Sequence, residues 1–201
     1  MAMKSFEKQI SRSWQRMLSG RRLNIIDPSP LDIEIEDIAR GISRVARWNG
    51  QTKGQNPISV AQHSVIVVEI LRLSKKQIPV KWQLGALLHD AAEYIVGDVI
   101  TPLKTLIGKE YSPIELRLQQ TIHTRFSLPI IFPKTITKMI KRADRQTAFL
   151  EAIQLAGFSE DEARKIFPTP KNIPKYKIVP LPPNKAEKQF LTFFDDLFKK
   201  S

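Results

Sequence analysis

Apolar residues recur at three- and four-residue steps through most of this chain and show no comparable stretch of strict alternation, which is the pattern of amphipathic helices. The spacing predicts helices near residues 5–18, 34–47, 59–75, 79–96, 112–126, 134–156 and 185–199. Ile35, Ile38, Ile42 and Val45 mark one inward face, Val60, Val67 and Ile70 a second, and Leu84, Leu87 and Leu88 a third. The two ends carry their own stripes, Phe6, Ile10, Trp14 and Met17 at the start and Phe190, Phe193, Phe194 and Leu197 at the finish. Both read as faces that dock on a core. Six of the fourteen prolines lie between Phe167 and Asn184, so the last helix should be tethered by an extended segment that wraps the domain or reaches a partner subunit. The expected fold is all-α, a single globular multi-helix domain over residues 1–201. Its core would span about 20–156, with a basic N-terminal helix at 5–18, a proline-rich segment at 167–184 and a C-terminal helix at 185–199. Its length suffices for a sizeable core, and no internal repeat is visible.

Polar residues that interrupt the apolar faces change the picture. In TITKMIKRADRQTAFLEA, Ile136, Ile140 and Ala148 project from nearly one side, and Asp144 stands where an apolar residue belongs. A carboxylate facing an interior needs a hydrogen bond, a cation or a metal. His63 is likewise aimed inward by its place among Val60, Val67 and Ile70. Either residue alone reads as a buried polar group with hydrogen-bond partners. Together with the dipeptide His89-Asp90 they supply two nitrogens and two oxygens, a divalent-metal set. Helix neighbours diverge by about 100°, so an ion shared by His89 and Asp90 must lie beside their helix, with His63 and Asp144 brought from others. Imidazole with carboxylate suits Mn, Fe, Co, Ni or Zn better than Ca.

Flanking residues carry double readings. Glu93 lies one turn beyond His89, placed either to handle protons or to orient a ligand. Asp98 follows Gly97, a helix C-cap, and belongs to a loop whose turn chemistry alone would explain it. Arg47-Trp48 ends a helical pattern and either closes the core or presents a guanidinium and an indole to a ligand. Lys104, just after Pro102, would add charge to the same pocket. His123 reads as non-catalytic.

Composition bounds the rest. No apolar run of membrane-spanning length and no signal-type h-region is present, so the expected location is cytoplasmic, without membrane. There is no cysteine for disulfides or thiolate ligands, and no Gly-rich phosphate loop. A formal net charge of +12, concentrated in KSFEKQISRSWQRMLSGRR and KTITKMIKRADR, suits anionic ligands and admits a second class of function: a nucleic-acid or polyanion-binding protein without catalysis.

The series His63, His89-Asp90 and Asp144 on successive helices resembles the HD-domain superfamily of metal-dependent phosphohydrolases. The run HDAAEYIVGDVITPLK, with Arg47-Trp48 ahead of it, is similar to the 5′-deoxynucleotidase branch, over roughly residues 20–156. The resemblance implies one divalent transition metal ion held by His63, His89, Asp90 and Asp144. It implies Glu93 managing protons near the attacking water, Asp98 near the sugar or water, and Arg47 and Trp48 in the substrate pocket. The implied activity is hydrolysis of the 5′-phosphate of (deoxy)nucleoside monophosphates. Release of triphosphate from nucleoside triphosphates is the alternative in the same superfamily, and a homodimer is a further implication.

Overall fold

The computed structural model describes residues 13–74, 77–167 and 175–201. The fold is all-α: α1 (Ile35–Ile42), α2 (Val60–Ser74), α3 (Val80–Leu87), α4 (Glu93–Val96), α5 (Thr101–Arg125), α6 (Lys134–Gln154), α7 (Glu160–Ile166) and α8 (Pro183–Phe198). Single 3-10 turns occupy Pro30–Asp32 and Arg47–Gly50. The strongly apolar α2 is the central element and packs against α1, α3, α6 and α8. Val65, Val67, Val68, Ile70 and Leu71 are all fully buried in it, so His63 on the same helix starts out inside the protein. Ser59 opens α2, its hydroxyl accepting from the Gln62 N–H at 3.3 Å.

The expected N-terminal helix is corrected over its described part. Trp14–Arg16 (β1) pairs antiparallel with Arg22–Asn24 (β2), Gln15 opposite Leu23, around a turn at Gly20 with φ 95°. Strand pairing wins here because Ser19 and Gly20 make a turn directly after the helical pattern and fold the following residues back on it. Ser19 then donates to the buried Asp37 of α1 through its N–H at 3.0 Å and its hydroxyl at 2.5 Å, pinning the hairpin to the bundle. Met17 is buried and Trp14 is exposed beneath the Arg22 guanidinium, at 3.9 Å. Phe6 and Ile10 lie outside the described residues.

Two predicted helices are shorter or broken, and both changes fall at the candidate site. The 34–47 helix ends at Ile42, and the chain enters a 3-10 turn in which Trp48 and Asn49 have φ of 58° and 50°. Left-handed geometry at non-glycine residues is strained, and here it is held by Arg47 N–H to Ile58 O at 2.9 Å and Val60 N–H to Val45 O at 3.1 Å. The 79–96 helix divides into α3 and α4, with residues 88–92 in turns, so His89 and Asp90 are turn residues. Gly41 allows the close approach of α1 to α4: a Cβ there would stand 2.7 Å from Tyr94 Cβ.

Elsewhere α5 begins before the expected 112 and carries Pro113 within it. The unexpected α7 has a capping box, Ser159 with Glu162, a signal present in the sequence. α8 buries Phe190, Phe194 and Leu197 as its stripe required. Ahead of it the extended chain wraps the domain. Gln154 clasps Tyr176 O and Ile178 N–H at 2.8 and 2.9 Å, and Gln62 clasps Val179 O and Leu181 N–H at 2.7 and 3.0 Å. No helix among the described residues is long and apolar enough to cross a membrane.

Candidate metal centre

Four elements meet at the first turn of α2: the Arg47–Gly50 turn, α2 itself, the turn between α3 and α4, and α6. His63, His89 and Asp90 bring one ligand atom each to within 4.8 Å of one another. The two imidazole centroids are 5.4 Å apart. Asp90 Oδ2 stands 3.1 Å from His89 Nε2 and 3.7 Å from His63 Nε2. Asp144, from α6, reaches His63 Nε2 at 3.3 Å but is not part of the mutually close group of three. The two adjacent side chains converge because a turn, unlike a helix, need not splay neighbours apart.

The ring nitrogens test whether this set fits a metal. His63 Nδ1 faces Glu151 Oε1 at 2.7 Å and His89 Nδ1 faces Ala86 O at 2.8 Å. A carbonyl or carboxylate at Nδ1 fixes the proton there and leaves Nε2 as the coordinating atom. Both Nε2 atoms are buried and lack a hydrogen-bond partner. Buried nitrogens without partners are expensive, and two of them aimed at the same carboxylates fit a cation.

Glu151 is the residue that the sequence reading missed. Fully buried on α6, it accepts from Arg47 Nε at 3.0 Å and Trp48 Nε1 at 2.9 Å, and holds His63 with its other oxygen. The signal was available: Glu151 follows Asp144 by two helical turns and interrupts the apolar run AFLEAI. Burial alone would raise its pKa, yet Arg47, His63 and Trp48 together hold it down at about 2. Burial and Arg47 oppose a charge on His63, but Glu151 and Asp144 prevail and lift it to about 10. Burial raises Asp90 as well, and His89 with its neighbours overcomes this and keeps the carboxylate far below its ordinary range. Asp144 is lowered against burial by His63.

Glu93 behaves oppositely. It is buried, its Oε2 has no partner, and burial together with Asp90 and Asp98 pushes its pKa up to about 9. Asp98, in the loop after Gly97, is also raised by burial despite Arg47, whose Nη1 lies 3.5 Å away. That same Nη1 is 4.0 Å from Asp90, so Arg47 spans the site from Glu151 to its open side. Trp48 packs its ring against Phe158 and Phe167 at centroid distances of 5.8 and 6.0 Å while its N–H serves Glu151. Lys104 pairs with Glu115 at 2.8 Å and lies over the Tyr111 ring, with Glu93 and Asp90 within electrostatic reach.

His123 lies outside the cluster and supports it from behind. Its Nε2 accepts from Gln119 Nε2 at 2.9 Å, and its ring stacks on Phe132 at 4.5 Å. Gln119 in turn donates to Leu88 O at 2.6 Å and accepts from Ala92 N–H at 3.2 Å, closing both ends of the turn that presents His89 and Asp90. Gln119→Leu should therefore destabilise the fold by about 1–3 kcal/mol, as expected for stranded backbone groups. It should also weaken divalent-metal binding about 10-fold or more, as loss of supporting contacts does. Calorimetric titration with Mn would check this; unchanged affinity beside a lowered Tm would limit Gln119 to a structural role.

No known protein-family profile matches the chain. An uncharacterized protein of Rhodobacter capsulatus, RCAP_rcc00048, is 55% identical over 161 residues, covering 80% of this chain and 82% of that protein. The uncharacterized Escherichia coli protein YfdR is 27% identical over 188 residues, covering 92% of this chain and 96% of its own length.

Proposed function

We propose that this chain, which belongs to the same family as the uncharacterized Rhodobacter capsulatus protein, is a metal-dependent phosphohydrolase acting on the 5′-phosphate of nucleoside or deoxynucleoside monophosphates. The observation that carries this reading is the pair of buried Nε2 atoms of His63 and His89 that converge with the Asp90 and Asp144 carboxylates without forming a well-aligned hydrogen bond. The sequence resemblance to HD-domain phosphohydrolases supports it. A divalent ion bound there would supply an acidified water and a positive charge for a phosphoryl oxygen.

The chain's own groups account for the remaining needs of phosphate-ester hydrolysis. Arg47 offers its Nη1 edge, where the present contacts are long, to phosphate oxygens, while Glu151 fixes the opposite edge at Nε. Glu93 carries a proton at neutral pH and can give it to the departing sugar oxygen as the P–O5′ bond breaks and the bond from water oxygen to phosphorus forms. Asp98 keeps Arg47 directed across the pocket. The buried Glu151 and His63, with the half-buried Arg47, exclude water from the rear of the site, where fixed charges act most strongly.

The test is phosphate release from a panel of nucleoside and deoxynucleoside mono- and triphosphates, using protein stripped of metal and resupplied with Mn, Co, Zn, Ni or Mg. Metal-dependent release from monophosphates is expected. Release of inorganic triphosphate would move the reading to a triphosphohydrolase, and silence across the panel would sink it. Glu93→Gln should keep the metal and lose about 10²–10⁴ in kcat, the usual worth of a general acid.

A further inference from the structure

The exposed face of α6 bears Lys134, Lys138, Lys141, Arg142 and Arg145, and none of the five stands in an ion pair with another of the described residues. Some other surface cations find carboxylates, Arg21 with Glu34, Arg44 with Glu187, Arg164 with Glu160 and Lys200 with Asp196, but what sets the five apart is their alignment along one helix face. At 3.6 residues per turn the five fall within roughly 100° of the circumference, in a stripe that starts about 60° from Asp144. The only acid between Lys134 and Arg145 is Asp144 itself. With 34% of its side chain exposed, against 25% for Asp90, 12% for His89 and none for His63, Asp144 is where the metal site meets solvent. The stripe therefore leads into the mouth of the site.

These cations are also poorly placed for the helix that carries them. A helix N-terminus favours acidic side chains, yet α6 has none in its first turn and opens on Lys134 with Lys138 one turn later. A sequence that accepts this cost over two turns, and leaves the charges unpaired, presents them to an external anion. Their density identifies its form. Lys134 to Arg145 spans about 16 Å of axis at ~1.5 Å per residue. That is roughly one cation per 4 Å, a charge density suited to a chain of successive phosphates rather than to an isolated one. A single nucleotide could meet one or two of them; a strand meets all.

We propose that the basic stripe of α6 is a track for the phosphate backbone of a single-stranded nucleic acid, whose 5′-terminal phosphate is led to the metal site. The entry of the terminal phosphate rests on the phosphohydrolase reading above; the track does not. Anisotropy of a labelled oligothymidylate with the full chain should show binding that falls with salt, with a log–log slope of about −3.5 for five contacts at ~0.7 each. Lys134→Gln, Lys138→Gln, Lys141→Gln and Arg142→Gln combined should weaken binding at least about tenfold and flatten the slope to about −0.7. The control Lys175→Gln, Lys177→Gln, Lys185→Gln and Lys188→Gln removes equal charge elsewhere and should bind nearly as tightly as the parent. Equal loss in the control, or binding only to anionic phospholipid vesicles, would overturn the track. With metal supplied, the stripe variant should raise KM for a 5′-phosphorylated strand and leave that for a mononucleotide unchanged. Turnover of mononucleotides but never of strands would overturn this inference alone. Strand binding through the stripe with no phosphate released from any substrate would sustain the track and sink the phosphohydrolase reading.

Discussion

Glu151→Ala is expected to destabilise the protein by about 3–5 kcal/mol, the range for removing one partner of a buried ion pair and leaving the other uncompensated. Three donors lose their acceptor at once. Arg47 Nε, Trp48 Nε1 and His63 Nδ1 all lie within 3.0 Å of this one carboxylate, which is itself inaccessible to solvent. The strained Trp48 turn loses its anchor too, because the indole N–H bond is what ties the left-handed residue to α6. Glu151→Gln should be milder in stability, since it can still accept one hydrogen bond, but should leave the Arg47 charge unmatched. Thermal unfolding of metal-free protein measures both. A loss below about 1 kcal/mol for the alanine variant, the scale of an ordinary single hydrogen bond, would show that Glu151 does not organise the site.

The same groups set how metal-free stability responds to pH. Glu151, depressed from 4.5 to about 2, contributes stability that is present above its unfolded pKa and lost as pH falls toward 2. His63, raised from 6.5 to about 10, contributes stability that is full below 6.5 and lost as pH rises toward 10. Glu93, raised from 4.5 to about 9, favours the folded state at the acid end and loses that advantage with rising pH. The combined contribution peaks near pH 4.5, falls gently above it as Glu93 loses its share and more steeply above 6.5 as His63 joins, and the decline should shrink in Glu93→Gln, His63→Asn protein.

His63→Ala and Asp144→Ala should each abolish divalent-metal binding, the second of the two largest effects expected. His63 stands against each of the other three proposed ligands and against Glu151: Asp90, Asp144 and Glu151 by its nitrogens and His89 by its ring. Truncating it removes a ligand and the organiser of three carboxylates together. Asp144→Ala removes the oxygen that faces His63 Nε2 at 3.3 Å and strips the four-ligand set of its member on α6. Since a metal must displace the proton that Asp144 and Glu151 maintain on His63, binding should release protons and tighten as pH rises. Calorimetry in buffers of different ionisation enthalpy counts those protons. Metal binding and phosphate release should vanish together in both variants; full activity in either would overturn the assignment of the site.

The sequence by itself determined the helical class, the central burial of α2 and the apolar faces of α6 and α8, because period and polarity are local properties of a chain. It also singled out His63 and Asp144, since a polar residue on an apolar stripe is visible without coordinates. Tertiary structure decided the rest. Whether residues 79–96 form one helix or two depended on Gln119, which lies 27 residues beyond Ala92 and takes up the backbone groups that a continuous helix would have used itself. Trp14–Arg16 became a strand because Arg22–Asn24 was there to pair with it. The role of Glu151 emerged only when Arg47, Trp48 and His63 converged from separations of 104, 103 and 88 residues. A helical pattern reports which way a side chain points, and only the packing of distant segments fixes what it meets there.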